Sequence, residues 1–168
     1  AFRESLSSRR EIMLALLKTF TMVGLEARHV DVEVDTVYDA NTPNPNPSIT
    51  TVGLPDKAVR ESAQRVKRAI ENAGFRLKYD HITINLAPVE LPKQAASFDL
   101  PIALGMLAGM GYLSHEQLEK YAVVGELSLA GETRPVRGAL SMAISQNRAA
   151  ALQGLIVPSA NAAEAAVV

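Results

Sequence analysis

The chain is 168 residues long, 48% of them apolar, with a formal net charge of −1. Those values fit one domain with a single core and exclude a disordered or low-complexity segment. With no cysteine there are no disulfides or thiolate metal sites, which agrees with a reducing cytoplasm; a near-neutral charge gives no global attraction to nucleic acid.

Residues 1–12 lack the apolar core of a secretory signal and read as an extension or a loosely packed helical arm. Thr19–Leu25 and His29–Val37 read as strands. In the second, Val30, Val32 and Val34 alternate with Asp31, Glu33 and Asp35, the period of a half-exposed strand. Three carboxylates on a solvent-facing strand are read as solubilising charges that also protect a sheet edge, in preference to a cation site. Tyr38–Ser48, with Pro43, Pro45 and Pro47 among asparagines, is a loop or hairpin tip. Ile49–Val52 resumes as a strand.

Asp56 is expected to cap a helix running to about Ala73, with Gly74 as its stop. Val59, Ala63, Val66 and Ile70 form its apolar stripe, and Arg60, Gln64, Lys67, Arg68 and Glu71 line its other sides. His81–Leu86 is an alternating strand. Asp99–Gly111 is apolar all round and predicts a helix sandwiched between layers. Ser114–Lys120 is a short polar helix with Ser114 as cap and Gln117 in the reciprocal position. Tyr121–Leu129 and Thr133–Val136 flank Ala130-Gly131, a hairpin signal. Gly138–Leu152 reads as a helix, Leu155–Val157 as a buried strand, and Asn161 as the cap of a last helix that meets no terminator, so the natural chain is expected to continue. The order predicts an α+β sandwich with helices on one sheet face.

His29, His81 and His115 lie far apart without ligand-like spacing, so no metal site is expected. The apolar stretches are too short or too broken to span a bilayer, so no membrane is expected among the partners. None of the ten glycines is followed by lysine, so the sequence holds no Gly-x-x-x-x-Gly-Lys loop for ATP. Between Lys57 and Lys78 there are seven basic residues against two acidic ones. Arg60, Arg65, Lys67, Arg68 and Lys93, with Arg134 and Arg137 flanking Pro135-Val136, are candidate contacts to phosphates or to an acidic neighbouring subunit. Without interleaved aromatics they form no stacking platform, and a solvated face with Lys57–Glu61 and Lys67–Glu71 pairs is the plainer reading.

Two stretches carry a resemblance: Val52-Gly-Leu-Pro-Asp-Lys-Ala-Val-Arg-Glu-Ser62, and Asn85-Leu-Ala-Pro88 followed by Lys93 and Phe98-Asp-Leu-Pro-Ile-Ala-Leu-Gly105. From about Met13 to Val168 the chain resembles the N-terminal domain of the bacterial Mg-chelatase-like AAA+ ATPases, the ComM/YifB group. The resemblance implies a Lon proteolytic-domain-like fold, the sheet-and-helix sandwich also described as ribosomal protein S5 domain 2-like. It implies a domain of residues 13–168, cut off before an AAA+ module that holds ATP and Mg, with no cofactor in this part. It also implies a cytoplasmic protein whose partners are its own AAA+ module, neighbouring subunits of a hexamer and DNA. Relatives are linked to DNA branch migration, and the same fold in RadA-type ATPases supports ring assembly and DNA contact. The loop at 41–48 departs from the family pattern.

Lon peptidases use a Ser-Lys dyad. Gly125–Gly138 resembles the segment before the Lon lysine and places Leu140 at that position, while the helix alignment places Asp99 at the serine. Neither residue supports acyl transfer. Asp99 is expected to cap its helix, and Ser97 and Lys93 to serve as a cap and a solvated or anion-facing lysine. The leading expectation is a non-catalytic module for ring assembly and DNA guidance. The alternatives are a degenerate peptidase and a protein-recruitment module without DNA binding.

Overall fold

The computed structural model describes residues 10–53, 56–93, 96–148 and 151–168. Its frame is a long antiparallel hairpin of β1 (Arg10–Val23) and β2 (Glu26–Asp39), in register from Arg10 opposite Asp39 to Val23 opposite Glu26. The predicted strands are the inner parts of this ladder. Residues 10–12 pair with residues 37–39 and so belong to the sheet, not to an extension or helical arm. Period-2 alternation continues outward through Leu16, Leu14 and Ile12. Residues 1–9 lie outside the described residues.

The chain continues through β3 (Ser48–Val52), α1 (Lys57–Asn72), β4 (His81–Ala87) and α2 (Asp99–Gly109). Then come α3 (His115–Leu118), β5 (Tyr121–Val123), β6 (Glu126–Leu127), β7 (Thr133–Arg134), α4 (Ala139–Arg148), β8 (Gly154–Ile156) and α5 (Ala162–Ala165). Six strands make one mixed sheet in the order β3-β4-β2-β1-β5-β8, and β6 and β7 form a separate antiparallel ribbon. The α+β expectation holds.

The Asn-Pro loop is not a hairpin tip, because β3 does not pair with β2. It lies beyond β4, parallel to it. The loop therefore crosses the start of β4, where the Asp80 carboxylate accepts the backbone N–H groups of Asp39 and Asn44, both at 2.6 Å. A loop rich in prolines has few N–H groups to satisfy, and one aspartate meets two of them.

One sheet face carries the main core. Ala15, Leu17, Val30, Val32, Val34, Ile82, Ile84 and Leu86 are buried there, against Val59, Ala63, Val66 and Ile70 of α1 and Ile102 and Met106 of α2. Each large aliphatic side chain removed from water contributes about 1.5–3 kcal/mol. As expected, Asp56 caps α1, accepting the Val59 N–H at 2.9 Å, and Gly74 follows the helix at φ 91°. α2 presses close to the sheet: a Cβ on Gly105 would sit 2.6 Å from Cγ2 of Val34.

Helices also occupy the other face, contrary to the expectation of one-sided packing. Phe20, Ala27, Ala122 and Val124 pack there with Met142 of α4 in a second, smaller core. The cause is in the hairpin itself, whose second face near the turn carries Phe20, Met22 and Ala27. α4 covers only that end. Farther along, Ile12, Leu14 and Leu16 stay exposed beside Asp31, Glu33 and Asp35, which the ladder sets opposite β1 residues of this face.

Smaller expectations also change. The side chain of Ser114 makes no cap bond at α3. The predicted strand over Tyr121–Leu129 breaks at Val124-Gly125, because β5 joins the main sheet while β6 turns to β7. The helix after Gly138 ends at Arg148, and β8 is half-buried, not buried. Asn161 makes no cap bond either; its amide accepts the Val136 N–H and donates to the Val136 carbonyl, both at 2.9 Å, tying the C-terminal segment to the ribbon.

Gly53, which ends β3, has φ 92°, and a Cβ there would lie 2.1 Å from the Leu86 carbonyl oxygen. Backbone conformation and the close approach of β4 both demand glycine. Gly53→Ala is expected to lower stability by about 3 kcal/mol or more. The urea midpoint reads this directly; an unchanged midpoint would mean that the turn relaxes freely.

Candidate functional site

Asp99 opens α2 but does not cap it. The residue at the cap position is Phe98, at the end of a short 3-10 turn (Ala96–Phe98), and the carboxylate runs sideways into the core. It is fully buried. Its Oδ2 accepts from Arg65 Nε at 2.7 Å and from the Leu127 backbone N–H at 3.1 Å. Its Oδ1 accepts from Arg65 NH2 at 2.9 Å and from the Ser62 hydroxyl. One carboxylate thus joins α1, α2 and β6.

Burying a carboxylate costs several kcal/mol unless a partner charge and further donors meet it, and here both conditions hold. The bond to Asp99 raises the Arg65 guanidinium above its ordinary value; burial opposes the rise, while the charges of Asp99, Glu126 and Glu61 reinforce it. Arg65 is therefore committed inward and is not a surface contact as its place in the basic run led one to expect.

Beside this cluster the backbone of Gly125 clips the start of α2: its N–H donates to the Ser97 carbonyl at 3.0 Å, and its carbonyl accepts from the Leu100 N–H at 2.9 Å. This brings Ser97 to the 125–138 segment. A cleft of about 360 Å³ opens there, lined by Met22, Ser97, Glu126, Pro135, Val136, Arg137 and Met142. The Ser97 hydroxyl is buried and has no hydrogen-bond partner among the described residues, so Ser97 is not a cap. Leu140 sits half-buried in the first turn of α4, its N–H donating to Glu164 at 3.1 Å. Of the two positions aligned with the Lon dyad, Asp99 is locked in the core and Leu140 is bonded through its backbone N–H to Glu164 of the C-terminal helix, while Ser97 lines the cleft.

Lys93 is buried, not solvated, and its ammonium donates to the Pro88 carbonyl. Burial lowers its pKa, with Glu90 pulling the other way. The remaining cationic candidates stay at the surface. Arg60 and Arg68 are exposed and Lys67 half-buried on α1, with Arg68 3.3 Å from Glu71. Arg134 lies 3.8 Å from Glu126, and Arg137 is exposed at the cleft rim. Among the described residues no helix is long and apolar enough to cross a membrane.

The sequence reading missed the pairing of Ser62 and Arg65 with Asp99. A signal existed: Ser62 and Arg65 are three apart and share a helix face, and an aspartate opening an all-apolar helix requires buried donors.

A six-stranded mixed sheet with α1 and α2 on one face defines an α+β domain of the Lon-like sandwich type. The sequence comparisons narrow this. Residues 32–161 match the family described as subunit ChlI of Mg-chelatase. YifB of Salmonella typhimurium is 41% identical over 155 residues, and the competence protein ComM of Haemophilus influenzae 37% identical over 155. A Mycobacterium bovis protein, Mb2921c, is 34% identical over 157. Each alignment covers 92% of this chain. The chain belongs to the Mg-chelatase-like ComM/YifB family. It spans 29% of the Salmonella and Haemophilus relatives and 30% of the mycobacterial one.

Arg65→Met is expected to cost about 3–5 kcal/mol, because it strands a buried carboxylate. Adding Asp99→Asn, which keeps the shape and removes the charge, is expected to recover about 1 kcal/mol or more. Urea unfolding of both proteins checks this; a double variant no more stable than Arg65→Met would mean that the carboxylate charge is not the source of the cost.

Proposed function

We propose that this domain is a non-catalytic part of a Mg-chelatase-like AAA+ ATPase, serving ring assembly and guiding DNA during its processing. ATP and Mg²⁺ belong to the ATPase module of the longer cytoplasmic protein. The observation that carries the non-catalytic half is the state of Asp99: four hydrogen bonds from Ser62, Arg65 and Leu127 fix its oxygens inside the core. A carboxylate so engaged neither attacks a carbonyl nor binds a metal. The DNA half takes its direction from the Haemophilus relative, which is named a competence protein. It is supported by the cations still at the surface: Arg60, Lys67 and Arg68 on α1, with Arg134 in the ribbon and Arg137 just beyond it.

Labelled single-stranded and branched DNA are expected to bind the domain with an affinity that falls as salt rises. Arg60→Glu with Lys67→Glu, or Arg134→Glu with Arg137→Glu, should weaken binding by about tenfold, or ~1.4 kcal/mol. Absence of binding at low salt would remove DNA guidance and leave assembly.

One observation favours a second reading. The buried, unpartnered hydroxyl of Ser97 lines a cleft, the placement a nucleophile would need. A nucleophilic serine also requires a base in reach, and the candidate Lys93 is engaged with the Pro88 carbonyl. Casein and fluorogenic peptides are therefore expected to remain intact with the wild-type domain. Turnover that disappears in Ser97→Ala and Lys93→Ala would replace the non-catalytic proposal with a peptidase.

A further inference from the structure

We infer that the uncovered half of the second sheet face is the seat for α1 of a second copy of this chain. The inference rests on the assembly half of the function proposed above and names the two surfaces that meet.

The seat accepts a helix. On the same face α4 already packs over Phe20, Ala27 and Ala122. Beyond α4, Leu14 and Leu16 remain 49% and 40% exposed. The ladder places Asp35 opposite Leu14, Glu33 opposite Leu16 and Asp31 opposite Lys18. A groove of about 270 Å³ runs here between Leu16, Lys18, Asp31, Glu33 and, from the end of α3, Glu119. Asp31 is paired with Lys18 at 2.7 Å, and Glu33 accepts from Asn85 at 2.7 Å. Asp35 and Glu119 have no partner among the described residues. An apolar strip edged by surplus carboxylate does not fit an apolar helix. It fits long cationic side chains, whose stems cover leucines while their tips reach the acids.

The solvent side of α1 has that chemistry. Arg60, Gln64 and Arg68 follow one another at four-residue spacing, with Lys67 beside them. Arg60 to Arg68 spans about 12 Å of helix axis, and Asp31 to Asp35 about 13 Å of strand. The Arg68–Glu71 pair is solvent-exposed and contributes little that a new partner must replace.

The two surfaces also lie on opposite sides of the molecule. α1 packs on the face that holds Val32 and Ile84, whereas Asp31 and Glu33 point to the other face. A contact between unlike, opposite surfaces is heterologous and propagates from subunit to subunit, closing into a ring where the rotation allows. In that assembly α1 is covered, so its cations meet DNA only in the unassembled domain, and within the ring contact with DNA falls to Arg134 and Arg137.

Sedimentation velocity of the whole 168-residue chain without nucleic acid tests the seat. The wild type is expected to self-associate at high concentration and low salt, and to dissociate as salt rises. Asp35→Lys with Glu119→Lys should weaken self-association by about tenfold or more, and so should Lys67→Glu with Arg68→Glu. Mixing the two reversed proteins should restore a one-to-one complex, because each now offers the charge the other lost. An unchanged urea midpoint confirms that both variants are folded, and Asp35→Asn with Glu119→Gln repeats the test without new positive charge. Self-association indifferent to both reversals would overturn this seat while leaving assembly standing. A wild-type chain that stays monomeric would overturn the seat and assembly through this domain together, leaving DNA binding to be judged by its own assay.

Discussion

The buried pair of Asp99 and Arg65 is the constraint around which the two helices and the ribbon are arranged. Burying the carboxylate alone would be prohibitive, and α1 supplies the counter-charge and a hydroxyl from one face, Arg65 and Ser62. That fixes the rotation of α1 about its axis: the turn that sends Val59, Val66 and Ile70 into the core also carries Arg65 to Asp99. The backbone N–H of Leu127 completes the set and pins β6 against α2. Because a buried ionic contact tolerates little displacement, it specifies relative placement more than it adds stability. The hydrophobic contacts around it supply the stability.

The second consequence lies in the sheet. A hairpin of two fourteen-residue strands is longer than α1 and α2 together require, and its second face must be dealt with separately. Near the turn the sequence makes that face apolar, with Phe20 and Ala27, and α4 covers it. At the far end the same alternation carries acids on β2 and aliphatics on β1. His29 marks the transition. Its ring lies 4.3 Å from Phe20, neither ring nitrogen has a hydrogen-bond partner among the described residues, and burial, with a smaller contribution from Lys18, lowers its pKa against the pull of Asp31. A neutral imidazole closes the covered half, and charged groups begin just beyond it.

Local signals in the sequence were dependable for α1 and β2, though not for the Ser114 cap of α3. Asp56, the stripe from Val59 to Ile70 and Gly74 define α1 by themselves, and the valines of β2 define its buried face. What the sequence hid depends on pairing between distant elements. The crossover of the Asn-Pro loop depends on β4 entering between β2 and β3, an event thirty residues downstream. Asp99, the first residue of α2, and Asn161, at the cap position of α5, both read as helix caps in the sequence, yet both found stronger partners in three dimensions. A capping residue competes for its local N–H against any donor the fold brings near, and a buried guanidinium wins that competition. Lys93 is the converse case: a lysine in a proline-rich stretch looks solvated, and only the folded loop shows it closed in against Pro88.

The segment Gly125–Gly138, which resembles the stretch before the Lon lysine, also braces the fold. Several polar groups along it have architectural bonds. Gly125 clips Ser97 and Leu100 through its own backbone, Leu127 donates to Asp99, Ser128 and Glu132 close the ribbon turn, and Val136 is held at both backbone groups by Asn161. Gly138 then brings the chain to α4 in a conformation open to glycine, φ 82°, with Met22 sulfur 2.8 Å from where a Cβ would stand. Close packing demands glycine at both ends of the segment, against Leu100 at Gly125 and against Met22 at Gly138. Leu140 follows two residues after Gly138. It begins α4 half-buried, its N–H bonded to Glu164, at the junction between the second core and the C-terminal helix. The segment thus braces the two cores, bonded to Asp99 on one side and packed through Val136 on the other.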